Sequence, residues 1–140
     1  MKNWIIIGAT SAISESVCRI WSVRGYKLFL VGRDEKKLVI LGDDYSVRGA
    51  SNVYTHVMDV NQFEAHEACW NAAVEQMGRI DGIFIAHGTL PDQKACEASF
   101  STAQLEINTN GMSVISLCTK AANEFEKAGK GDIAVISSVA

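Results

Sequence analysis

Short apolar runs rich in β-branched side chains alternate along the chain with longer stretches in which apolar residues recur every third or fourth position. Flanked by turn-forming residues, the short runs predict strands at about 3–7, 27–31, 52–57, 81–86 and 132–137. Their near-continuous apolar character suits a parallel sheet covered on both faces. Between the first two runs, Val17, Ile20, Trp21 and Val23 follow helical spacing, and Gly25 supplies a stop. Asp34 is a good N-cap for a second helix that ends near Gly49. A third helix is expected over about 61–77, ending at Gly78. A long fourth is expected from about Ser99 to Ala128, with Leu105, Met112, Ile115 and Leu117 facing inward. Right-handed crossovers then place the strands in a doubly wound α/β sheet of order 3-2-1-4-5. With no repeat, low-complexity tract or linker, residues 1–140 read as one domain.

Composition narrows the function classes. The 140 residues are 48% hydrophobic and 21% charged, and the net charge of −3 offers no basic face to a nucleic-acid backbone, which disfavours a nucleic-acid partner. Only four residues precede Ile5-Ile6-Ile7, which makes a poor signal-peptide core, and no segment has the length of a membrane span. A cytoplasmic location is therefore expected. Cys18, Cys69, Cys96 and Cys118 form no C-x-x-C pair, and neither they nor His56, His66 and His87 show ligand spacing. No metal site is expected, and the cysteines read as free, mostly buried thiols. The last strand runs into Ser137-Ser138-Val139-Ala140 with no helix behind it and no charge guarding its edge, so the sheet is expected to be cut after its fifth strand.

Chemistry concentrates where strands end. Gly8-Ala9-Thr10-Ser11-Ala12-Ile13-Ser14 leads from the first strand straight into a helix, and the unpaired amides and dipole at such a bend favour a pyrophosphate. A capped helix after a strand accounts for the same residues without a ligand. The second strand ends Leu30-Val31-Gly32-Arg33-Asp34. A carboxylate at this tip suits a ribose diol, whereas a guanidinium suits a 2′-phosphate, so Gly32 and Arg33 favour NADP(H) over NAD(H). Helix capping explains Asp34, and a solvated surface charge is the plain reading of Arg33. Asp59 could accept a hydrogen bond from an exocyclic amine or cap the third helix. Asn108-Thr109-Asn110-Gly111 places poor helix formers inside the fourth helix, which calls for a local distortion that frees a carbonyl for water, or a helix end near residue 110. The segment 131–140 reads as a buried strand delivering Ser137 and Ser138 at its C-terminal end, where open α/β sheets place their ligands.

Taken in order, these segments resemble the short-chain dehydrogenase/reductase family. Its first turn reads T-G-x-x-x-G-x-G, often G-A-S-S-G-I-G, to which Gly8, Thr10, Ser11 and Ile13 correspond while Ala12 and Ser14 depart. The resemblance implies an NAD(P)-binding Rossmann domain that binds a small-molecule substrate, with the Ile13 amide and Ser11 hydroxyl on phosphate. Met58-Asp59-Val60 resembles the D-V pair that contacts adenine, and Ala86-His87-Gly88 stands at the N-A-G segment, with Gly88 letting the backbone pass close to cofactor. Asn108 matches the asparagine that holds a water in a proton relay. In I-S-S-x-A, Ser138 takes the place of the catalytic serine that orients and polarises a carbonyl while hydride arrives. The family's acid is a tyrosine four residues before a lysine, which none of Tyr26, Tyr45 and Tyr54 is, so these 140 residues alone are expected to turn over negligibly. Within the family, Gly88-Thr89-Leu90-Pro91-Asp92-Gln93 and the chain's ending look most like reductases of a keto-pentose carried by a polyprenyl phosphate. The resemblance also implies a homo-oligomer through the fourth helix. A cofactor-sensing or scaffold protein that keeps the nucleotide site is the rival reading. A receiver-like domain, which would need clustered acids at strand ends, ranks below both.

Overall fold

The computed structural model describes residues 1–138. Its strands are β1 (Asn3–Ile7), β2 (Lys27–Gly32), β3 (Asn52–Val57), β4 (Gly82–Ile85) and β5 (Asp132–Val135). All pair in parallel, in the order β3-β2-β1-β4-β5. Side chains alternate across the sheet as the pleat requires. Ile5, Ile7, Phe29, Val31, Ile83 and Ile85 join one apolar layer, and Trp4, Ile6, Leu28, Leu30 and Phe84 join the other.

Helices α1 (Ala12–Val23) and α2 (Glu35–Arg48) cover the second layer, and α3 (Ala65–Met77) packs on the first. Beyond β4 come a short α4 (Gln93–Ala98), then α5 (Phe100–Ile107), a π-helical turn (Asn108–Met112) and α6 (Ser113–Ala128). Asp34 and Ser99 cap α2 and α5 through their side chains.

Several expectations need correction. On α1 the buried stripe is Ser14, Cys18 and Ser22, whereas Ile20 and Val23 are exposed. Small side chains let this helix pack closely against α2, where Cys18 meets Tyr45, and Ser22 satisfies its buried hydroxyl on the Cys18 carbonyl at 2.6 Å. Helix α3 starts at Ala65 rather than 61, because successive turns bond Gln62 to Asp59, Ala65 to Gln62 and His66 to Phe63. Of the four residues expected to face inward in the fourth helical region, only Leu117 does. Leu105, Met112 and Ile115 are 53%, 47% and 58% exposed. The buried stripe of α6 is Ser113, Leu117, Ala121 and Phe125, four residues apart, which turns Ile115 away. Strand β5 is not buried. It pairs only with β4 among the described residues, and Ile133, Val135 and Ile136 remain about two-fifths exposed. Of the four free thiols, Cys18 and Cys69 are buried and Cys96 and Cys118 are partly exposed.

Candidate nucleotide-binding site

The bend after β1 turns on Gly8, at φ +73°. The Gly8 and Ala9 amides both donate to the Val31 carbonyl, at 3.1 and 3.0 Å, which ties the bend to β2. Ser11 then caps α1: its Oγ accepts from the Ser14 amide at 3.2 Å, and its hydroxyl donates to Ser14 Oγ at 3.0 Å. The amides of Ala12 and Ile13, in the first turn of α1, are left without an acceptor among the described residues. They stand at the positive end of the helix dipole.

A cleft of about 530 Å³ opens at the carboxyl ends of β1, β2, β3 and β4. Gly8, Thr10, Ser11, Arg33, Asp59, Val60, Ala86 and Gly88 line it. Ala12 and Ile13 lie on the adjoining helical turn, outside that lining, and Asn108 opens the π turn. Ser138 is exposed and follows β5. Because every strand runs parallel, it falls on the same rim of the sheet as Gly8.

Two carboxylates have identified tasks. Asp34 accepts from the Lys37 amide at 3.2 Å, so it caps α2. Asp59 does not cap α3; its Oδ1 accepts from the Asn61 amide at 2.9 Å and closes a local turn on the cleft wall. The Arg33 guanidinium makes no ion pair or hydrogen bond among the described residues. It shares a shallow hollow at the tip of β2 with Thr10, Asp34, Glu35, Lys36 and Lys37.

Sequence reasoning missed a polar frame around this cleft. His87 places Nε2 2.7 Å from Ser113 Oγ and 3.1 Å from the Thr109 carbonyl. Its Nδ1 is buried without a partner among the described residues. Burial, helped slightly by His66 and opposed by the Thr109 carbonyl, lowers the His87 pKa below its ordinary value. Asn110 clamps the loop after β4, accepting from the Thr89 amide at 2.8 Å and donating to the Thr89 carbonyl at 2.9 Å. The Thr89 hydroxyl donates to the Glu106 carboxylate. Asn61 donates to Thr109 Oγ1 at 2.8 Å, and its own Oδ1 is buried and unpartnered. Buried His66 bridges the Val60 carbonyl, at 2.8 Å, to Ser116 Oγ, at 2.7 Å, and so fixes that wall against α6. These pairs join residues far apart in sequence, so no local pattern announces them.

A doubly wound parallel sheet of order β3-β2-β1-β4-β5, with a glycine bend after β1 and a cleft at the strand ends, defines an α/β domain of the Rossmann type. Residues 2–140 match the short chain dehydrogenase family, and the chain belongs to that family. It is 29% identical over 136 residues to an uncharacterized oxidoreductase of Mycobacterium tuberculosis, covering 97% of this chain and 54% of that one. The fold superposes on levodione reductase with a TM-score of 0.91 at 25% identity, covering 99% of this chain and 54% of that one. An alcohol dehydrogenase from the archaeon Thermococcus sibiricus, complexed with 5-hydroxy-NADP, shares the fold at a TM-score of 0.86 and 24% identity, over 96% of this chain and 57% of that one. The chain spans about half the length of the curated relatives it matches. Among the described residues no helix is long and apolar enough to cross a membrane.

Proposed function

We propose that the chain is the nucleotide-binding part of an NADP(H)-dependent oxidoreductase acting on a carbonyl or alcohol. The observation that carries this reading is one cleft lined by both the Gly8 bend and the unpaired Arg33, with the two free amides on the adjoining turn of α1. Ala12 and Ile13 would donate to the diphosphate, with Gly8 and Thr10 keeping the approach open. Arg33 would pair with a 2′-phosphate, and Asp59 and Val60 would flank the adenine. Ala86 and Gly88 would pass beneath the rest of the cofactor. The unpartnered acceptors Asn61 Oδ1 and His87 Nδ1 suit a hydroxyl-rich or hydrated ligand. Bound there, the nicotinamide supplies or takes a hydride.

The Ser138 hydroxyl would orient the substrate carbonyl, and Asn108 would hold a water of the proton path. Tyr45 is no proton source: it is fully buried, and burial raises its pKa, against the direction a general acid needs at neutral pH. We therefore propose that these 140 residues bind nucleotide without reducing carbonyls. The resemblance of the loop 88–93 to keto-pentose reductases supports a sugar-derived substrate. Exposed Leu105, Ile107, Met112 and Ile115 support a second copy of this chain packing along α5 and α6. Calorimetric titration with NADPH and then NADH tests the cofactor assignment. Tighter binding of NADPH is expected, and equal affinity would overturn the role given to Arg33.

A further inference from the structure

We infer that His87 is a positioning residue that holds the π turn open, and thereby sets the shape of the cleft wall formed by α5. In a regular α-helix the Ser113 amide would bond to the Thr109 carbonyl, four residues back. Here it bonds to the Asn108 carbonyl instead. The Thr109 carbonyl is released from the helix ladder and is taken by side chains: the Ser113 hydroxyl donates to it at 2.7 Å, and His87 Nε2 lies 3.1 Å away. A carbonyl only accepts, and the single Ser113 hydroxyl proton is already placed on it. Both contacts of Nε2 therefore require a proton on that nitrogen, and the ring is the Nε2–H tautomer with a bare Nδ1.

The consequence reaches the cleft because Leu105, Glu106 and Thr109 line it. Closing the π turn into α geometry changes the count between α5 and α6 by one residue, a rotation of about 100°. Such a rotation carries Glu106 away from Thr89 and Thr109 away from Asn61. His87 extends from the end of β4, so the sheet itself dictates the register of the helix. This inference rests on the nucleotide reading only for its affinity readout.

The unaltered chain should show a protonated Nε2 and an unprotonated Nδ1 for His87 in a long-range 1H–15N spectrum; a proton on Nδ1 would overturn the inference. A through-hydrogen-bond coupling should connect the Ser113 nitrogen to the Asn108 carbonyl carbon. In His87→Ala and His87→Asn, neither of which reaches Thr109, that coupling should move to the Thr109 carbonyl and NADPH affinity should fall about tenfold. His87→Gln, which puts an amide N–H where Nε2 stands, should restore both. A coupling that stays on Asn108 in the Ala and Asn variants overturns the inference. The first two measurements need no substitution, so a variant that fails to fold does not shelter it. If the unaltered chain ignores NADPH while the coupling still moves, the nucleotide reading fails and the inference stands.

Discussion

A β-carbon added to Gly8 would stand 2.6 Å from the amide nitrogen of His87 and 2.8 Å from its Cα. The first bend of the chain and the end of β4 thus touch main chain to main chain. His87 is in turn bonded to Ser113 and lies beside the Thr109 carbonyl, so the bend, the sheet rim and the π turn form one connected frame around the cleft. The free amides of Ala12 and Ile13 owe their position to that frame.

Gly8→Ala meets two obstacles: the crowding at His87 and a φ of +73°, which an L side chain rarely adopts. Urea unfolding should show a loss of about 2–4 kcal/mol, together with loss of NADPH binding under conditions where the variant is folded. A change within about 0.5 kcal/mol, as at ordinary surface sites, would contradict the close contact.

Arg33→Ala removes the only proposed ligand of a 2′-phosphate and touches no intramolecular partner among the described residues. NADPH affinity should fall about tenfold to a hundredfold while NADH affinity and the melting temperature barely change. Equal losses for both nucleotides would place Arg33 elsewhere in the binding mode.

The strand order and the bounds of β1 and β3 were legible because each apolar run is punctuated by turn residues and the crossovers leave few topologies. The cap at Asp34 and a helix start near Ser99 were legible for the same local reason. The start of α3 was not, because the Asp59 carboxylate turns back onto the Asn61 amide, a choice that spacing does not reveal. On α1 the periodicity of large apolar residues pointed away from Ser14, Cys18 and Ser22, whose smallness is what allows close packing. Helix α4, six residues behind its Asp92 cap, is too short for a periodic signal. The poor helix formers at 108–111 do coincide with a helical distortion, yet its partner His87 lies on another element and a lone imidazole carries no local signature.

His87 and His56 are both held below their ordinary value of 6.5, in each case chiefly by burial. The unfolded chain therefore takes up these protons at a higher pH than the folded chain does. Stability should be full above about pH 6.5 and should decline as the pH falls from there toward the lowered folded values. Urea midpoints measured from about pH 7.5 down to about pH 5.5 should drop, less steeply in His87→Gln. A flat profile in the unaltered chain would contradict the burial of both rings.

Association along α5 and α6 should appear in light scattering as a dimer or larger species. Ile115→Glu, at an exposed position that faces no core residue, should shift the population toward monomer with its melting temperature little changed. A monomer at all concentrations of the unaltered chain would remove the proposed partner.

The most direct test of the account follows backbone amide resonances of the 15N-labelled chain during titration with NADPH. The largest shifts are expected at Ala12 and Ile13, with further shifts at Arg33, Asp59 and Gly88 around the cleft. Unchanged Ala12 and Ile13 signals at saturating NADPH, or shifts confined to the opposite end of the sheet, would contradict it.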